Sequence, residues 1–140
     1  QAAFLLGQLE RSKIFLDRRL EIWEKYYDFF SSDEFDEKIE IQNVPSFAKH
    51  NAHLFYLKLK DEDSRNEFID YLKANNIQAA SHYVPLHSSP FGSKIGKFHG
   101  KDIFTTIDSA RLVRLPMHNN LNDDHISKVC ITANDFLKHK

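Results

Sequence analysis

The sequence predicts a small α/β domain, a two-layer α+β sandwich, carried behind one long helix. Three observations predict it: a helical apolar pattern over the first 31 residues, a clean alternation at 53–59, and a capped terminal helix with its own inner stripe. The implied division is a connecting helix over 1–32 and a sandwich over 33–140, which is enough chain for one core of ordinary size.

In the leading helix, Leu5, Leu9, Leu16, Leu20, Trp23, Tyr27 and Phe30 recur at helical spacing, and Phe15, Ile22, Tyr26 and Phe29 widen the apolar face. Arg11, Lys13, Arg18 and Arg19 fall largely off it. A helix of this length reaches roughly 45 Å, more than a small domain is wide, so it is expected to touch something beyond the sandwich. It opens at Gln1-Ala2-Ala3 without a capping side chain, which reads as a helix entered partway along and a chain that is a fragment. Ser31-Ser32-Asp33 ends it, and the acidic stretch 33–40 reads as solvated surface, with a short strand allowed at Ile39–Ile41.

At 53–59, His53, Phe55, Leu57 and Leu59 face one way and Leu54, Tyr56 and Lys58 the other, as in a half-buried strand. Asp61 or Asp63 then caps a helix over about 64–75, with Phe68, Tyr71 and Leu72 inward and Asn75-Asn76 as a left-handed stop. Ile77–Val84 is a second strand, closed by Pro85. Residues 86–104 have no period and hold Gly92, Gly96 and Gly100. Thr105 and Asp108 form an aspartate version of a capping box that opens a short helix to about Val113, which Leu115-Pro116 ends. Asn122 caps the last helix, Leu121 and Ile126 staple it, and Ile126, Val129, Cys130, Ala133 and Leu137 form its inner stripe.

Composition narrows the function. Net charge is −1, with neither the basic surface nor the aromatic motif of an RNA-binding sheet, so no nucleic-acid partner is expected. The longest apolar runs, such as Phe4-Leu5-Leu6, are far too short for a membrane span, and no signal-peptide pattern is present. One cysteine allows no internal disulfide, which fits a cytoplasmic location. GxGxxG, P-loop, HExxH, CxxC and serine-elbow motifs are all missing.

The informative stretch is Ser81-His82-Tyr83-Val84-Pro85-Leu86-His87, at the end of a predicted strand, where scaffolds present side chains to ligands. His82 and Tyr83 are expected on opposite faces, with His87 just past the proline. The other reading is one packed aromatic and two surface imidazoles. Zinc held by His82, His87 and His99 has poor chelate spacing and no acidic or thiolate ligand, so no metal is expected. In the following loop, Lys94 and Lys97, with His99 and Lys101, suit an anion such as a diphosphate, or else belong to a solvated loop.

Several of these segments share a family likeness. Gln1-Ala2-Ala3-Phe4-Leu5-Leu6-Gly7-Gln8-Leu9, with Arg18-Arg19 and Tyr26-Tyr27, resembles the helix that follows the cofactor-binding region in sugar aminotransferases of the DegT/DnrJ/EryC1/StrS family. His82-Tyr83-Val84-Pro85-Leu86-His87 looks like that family's substrate loop, and Arg111–His118 with Leu121-Asn122-Asp123 like the approach to its last helix. Phe98-His99-Gly100-Lys101-Asp102 and Thr105-Thr106 are closest to family members that make dTDP-4-amino-4,6-dideoxygalactose.

The resemblance implies the C-terminal small domain of an aspartate-aminotransferase-like, fold type I enzyme dependent on pyridoxal phosphate. Its reaction would move an amino group from glutamate to a dTDP-4-keto-6-deoxyhexose. It further implies that His82, Tyr83 and His87 bind the sugar nucleotide, and that the partners are an N-terminal large domain and a second subunit of a homodimer. No lysine here matches the Schiff-base lysine, so no catalytic residue, no bound cofactor and no activity are expected of this stretch alone. The reading from a different class is a free-standing α/β module for a small metabolite.

Overall fold

In the computed structural model, which describes residues 1–139, the leading apolar pattern becomes two helices, α1 (Ala2–Glu10) and α2 (Ser12–Phe30). The single helix expected over the first 31 residues is thus broken at Arg11, whose backbone leaves helical geometry at φ −99° and ψ 1°. The two differ in packing. α2 buries Ile22, Trp23, Tyr26 and Phe30, whereas α1 buries nothing. Helices draw most of their stability from a packed face, and α1 has none among the described residues to hold it in line with α2. Arg18 and Arg19, off the apolar stripe, tie α2 to the body. Arg18 donates to the Leu121 carbonyl, and Arg19 to the carbonyls of Ala52, at 2.9 Å, and His53.

Four short strands, β1 (Glu40–Ile41), β2 (Tyr56–Lys58), β3 (Ala80–Ser81) and β4 (Leu112–Arg114), form one antiparallel sheet in the order β1-β2-β4-β3. Leu57 is opposite Ile41 on one side and Val113 on the other, and Val113 is opposite Ser81. Two expectations need correction here. The short helix does not run to Val113: α5 (Thr105–Arg111) stops at Arg111, and Leu112 is already extended at φ −83° and ψ 131°, so the chain supplies an inner strand there. The strand expected over 77–84 pairs only at 80–81, as an edge beside β4.

The alternation around β2 does bury Phe55, Leu57 and Leu59. His53 lies outside it and is exposed, because the chain turns at Ala52, which sits in the left-handed region at φ 48°. α3 (Glu62–Ala74) starts at Asp61, whose carboxylate accepts from the Ser64 amide at 2.8 Å, and buries Phe68 and Leu72. Tyr71, expected inward, is 36% exposed and only leans on Phe136, with ring centroids 5.4 Å apart. Asn76 makes the left-handed stop at φ 59°.

α6 (Asp123–Lys138) begins with a reciprocal box in which histidine replaces the usual glutamate. Asn122 accepts from the His125 amide at 2.9 Å, and His125 Nδ1 accepts from the Asn122 amide at 3.3 Å. Leu121 and Ile126 are both buried, as a staple requires, and the stripe through Val129, Cys130, Ala133 and Leu137 faces the core. That core is centred on Phe55, which meets Tyr26, Trp23 and Phe30 at ring-centroid distances of 5.3, 5.7 and 6.1 Å. The doublets Tyr26-Tyr27 and Phe29-Phe30 are therefore packing elements, as their helical spacing suggests.

The start of β4 is pinned by polar groups. Arg111 donates to the Leu59 carbonyl at 2.6 Å and pairs with Glu40 at 2.5 Å, while Lys58 bridges Glu40 and Asp108 at 3.3 and 3.2 Å. Arg65, buried on α3, donates to the Ala110 carbonyl at 2.8 Å. These contacts fix α5, and with it one end of the long loop from 82 to 104. Among the described residues no helix is long and apolar enough to cross a membrane.

Candidate functional site

The loop between β3 and α5 carries the residues singled out above, and it is more ordered than its sequence predicts. Leu86–Ser88 forms a tight turn, and Gly92–Ile95 one helical turn, α4. Ser89 supports that turn by accepting from the Gly92 amide at 3.0 Å. Gly92 is required by close approach, since a Cβ there would stand 1.7 Å from the Leu86 carbonyl oxygen. Gly100 is required by conformation, at φ 84°.

His82 and Tyr83 do not divide between two faces. Pairing has ended by then, both side chains are exposed, and their rings meet edge to face at 5.4 Å. Arg114 of β4 reaches across to Tyr83. Its guanidinium lies 5.3 Å from the Tyr83 ring centroid, and it donates to the Ser81 carbonyl at 2.9 Å. Arg114 Nε is buried with no partner among the described residues.

His87 stands apart from this pair, in a cluster that joins the two ends of the loop. Its Nε2 lies 2.9 Å from Asp102 Oδ2 and 3.1 Å from Thr106 Oγ1, and Phe98 packs against the ring at 4.6 Å. Thr106 donates its hydroxyl to Asp102 Oδ2 and its amide to Oδ1, the latter at 3.2 Å. Donation from the Thr106 hydroxyl, then from its amide and the nearby His87 ring, holds the Asp102 carboxyl below the usual carboxylate range. Asp102 thereby takes over the capping role expected of Thr105 and Asp108, for α5 has no side-chain cap at its first residue.

A hollow of about 360 Å³ opens beside His87, lined by Leu86, Phe91, Gly92, Ile95 and Lys97 among others. Of the two lysines expected at a phosphate, Lys97 borders this hollow; Lys94, on α4, does not. The loop also exposes Tyr83, Val84, Leu86, Phe91, Ile95 and Phe104, and α5 adds Ile107, a run of apolar side chains of the kind that marks a contact surface. Asp102, Thr106, Phe98 and Arg114 were not among the expected site residues, although each lies in a segment that carries the family likeness, and residues 98, 102 and 106 are spaced by four.

The remaining reactive groups belong to the core. Burial pushes the Cys130 thiol up to about 12, so it stays protonated and unreactive. Burial likewise raises Tyr26, whose hydroxyl donates to the Pro116 carbonyl at 3.1 Å. Among the described residues no group of three His, Cys, Asp or Glu side chains converges to hold a metal ion. A Schiff-base lysine needs an enclosed seat beside its cofactor, and no described lysine is buried. The three half-buried ones are already engaged: Lys25 with Glu21 and Asp123, Lys38 with the Leu137 carbonyl, and Lys58 with Glu40 and Asp108. The described residues therefore do not fit an aldimine site by themselves.

The sequence model of the DegT/DnrJ/EryC1/StrS aminotransferase family matches residues 1–133. The uncharacterised protein MJ1066 of Methanocaldococcus jannaschii is 31% identical over 142 residues, covering 92% of this chain and 34% of its own length. Among solved structures, DesV of S. venezuelae in complex with a ketimine intermediate superposes with a TM-score of 0.82 at 21% identity, over 99% of this chain and 36% of its own. The aminotransferase TlmJ from Streptoalloteichus hindustanus does so with a TM-score of 0.77 at 20% identity, over 95% and 34%. Helicobacter pylori PseC, an aminotransferase of pseudoaminic acid biosynthesis, gives 0.78 at 17% identity, over 96% and 36%. These structures share the α/β fold, helices over a small antiparallel sheet. The chain spans about a third of the length of the relatives it matches.

Proposed function

The chain belongs to the DegT/DnrJ/EryC1/StrS aminotransferase family, and from that premise we propose that it is the C-terminal small domain of a pyridoxal-phosphate-dependent sugar aminotransferase, acting in substrate binding and closure. The family match over residues 1–133 carries this reading. The exposed apolar side chains of α1 (Phe4, Leu5, Leu6 and Leu9) and of the loop support it, as faces for an N-terminal large domain and the partner subunit of a homodimer. The proposed reaction passes the amino group of glutamate to a dTDP-4-keto-6-deoxyhexose, giving dTDP-4-amino-4,6-dideoxygalactose in the cytoplasm. When bound, the cofactor supplies the electron sink, held by the large domain.

This chain's share is to hold the sugar nucleotide. His82, Tyr83 and His87 contact it, with Lys97 better placed than Lys94 for a phosphate because it borders the hollow beside His87. Alone, the 140-residue chain neither holds the cofactor nor transaminates.

The test is the full-length protein supplied with glutamate and dTDP-4-keto-6-deoxyglucose, with the product read by mass. His82→Ala and His87→Ala should each lower kcat/KM for the sugar about tenfold, the size of one lost hydrogen bond near 1.4 kcal/mol. Unchanged kinetics would remove those histidines from the site. An internal-aldimine absorbance band recovered with the 140-residue chain would overturn the assignment of the cofactor to the large domain.

A further inference from the structure

Resting on the ligand role just given to His87, we propose that Asp102 and Thr106 are positioning residues that lock His87 in its Nε2–H form, so that Nδ1 accepts a hydrogen bond from a hydroxyl of the ligand. Proton counting leads there. The Thr106 hydroxyl has one proton, and it points to Asp102 Oδ2. Towards His87 Nε2, at 3.1 Å, that hydroxyl offers only lone pairs. Asp102 Oδ2, 2.9 Å from the same nitrogen, belongs to an ionised carboxylate and also offers only lone pairs. Two acceptors face one nitrogen, so Nε2 must be the donor.

A neutral imidazole carries one proton, which leaves Nδ1 with a bare lone pair. No described residue donates to Nδ1, and the half-buried ring is held edge-on by Phe98 at 4.6 Å. A phosphate oxygen has no proton to give such an acceptor; a sugar hydroxyl does. His87 therefore selects a hydroxyl, and the anionic end of the ligand falls to Lys97 on the same hollow. Because residues 87, 102 and 106 lie at opposite ends of the loop, the same contacts hold its ends together.

Histidine-selective nitrogen labelling of the 140-residue chain, read by long-range proton–nitrogen correlation near neutral pH, tests the lock directly. The expected spectrum shows His87 with Nε2 protonated and Nδ1 bare. His125 provides the folding control, because its Nδ1 accepts from the Asn122 amide in a distant cap. Asp102→Asn and Thr106→Val should shift His87 to a mixture of forms with His125 unmoved, and Thr106→Ser, which restores the hydroxyl, should restore the single form. A proton on Nδ1, protons on both nitrogens, or indifference to Asp102→Asn overturns the lock.

In the full-length protein with glutamate and dTDP-4-keto-6-deoxyglucose, Asp102→Asn should raise KM for the sugar about 3- to 10-fold and leave KM for glutamate unchanged. A locked tautomer combined with a silent His87→Ala overturns the ligand role instead, so the two failures are told apart.

Discussion

Phe55 and Phe91 are the same side chain in opposite surroundings. Phe55 is 0% exposed, ringed by Trp23, Tyr26 and Phe30, whereas Phe91, in the loop between β3 and α5, is 70% exposed. The sandwich closes its core with residues from α2, the sheet, α3 and α6 and asks nothing of the loop. The loop is ordered by another means. Its apolar side chains point to solvent, and its form comes from polar ties, Ser89 to Gly92 and Asp102 to His87 and Thr106. A segment built by hydrogen bonds, with its apolar atoms outward, is what the proposed large domain or partner subunit would cover.

The strongest way to break this contrast is Phe55→Ala. Removing a fully buried aromatic side chain from a closed core costs about 3–5 kcal/mol. Urea denaturation of the chain should show that loss as a lower midpoint with an unchanged slope. A loss below about 1 kcal/mol would mean that the core is looser than its ring contacts suggest, since such values belong to sites away from packed cores.

The same contrast explains what could be read in advance. α2, α3 and α6 were legible because their buried faces repeat at helical spacing, and α3 and α6 also start at caps, Asp61 and Asn122, that act on residues three positions away. β4 was not, because its three residues are held only by partners more than thirty positions distant, at 56–58 and 80–81. The edge strand β3 was overextended for a related reason: an apolar run shows which residues suit a strand, while pairing at Ala80 and Ser81 depends on where β4 ends up. In the loop, His82, Tyr83 and His87 stood out by type, but the groups that orient His87 are folded back onto it from residues 98 to 106. The break at Arg11 was hidden because the apolar period continues across it.

A smaller effect sharpens the comparison from the side of the core. Asn122→Ala removes the side-chain oxygen that receives the His125 amide, while the backbone amide of residue 122 can still donate to His125 Nδ1. The expected cost is about 1 kcal/mol, typical of an N-cap, read as a lower urea midpoint. Leu121 and Ile126 stay buried beneath the cap, so the stripe of α6 keeps its packing. A cost as large as that of Phe55→Ala would place the decisive interactions of this helix at its end rather than along its face.

The smallest effect tests the loop itself. Phe91→Ala deletes a ring that is mostly in water, so little transfer energy is lost and no cavity is left; stability of the 140-residue chain should move by no more than about 0.5 kcal/mol. Phe91 borders the hollow beside His87, so the same change in the full-length protein should be felt wherever another surface covers that hollow, first as a higher KM for the sugar. A silent substitution in both settings would show that the ring is ordinary exposed surface. A large loss in the chain alone would show that the loop is part of the core, and the division between the two phenylalanines would disappear. A loss confined to the full-length protein is what a surface awaiting its cover requires.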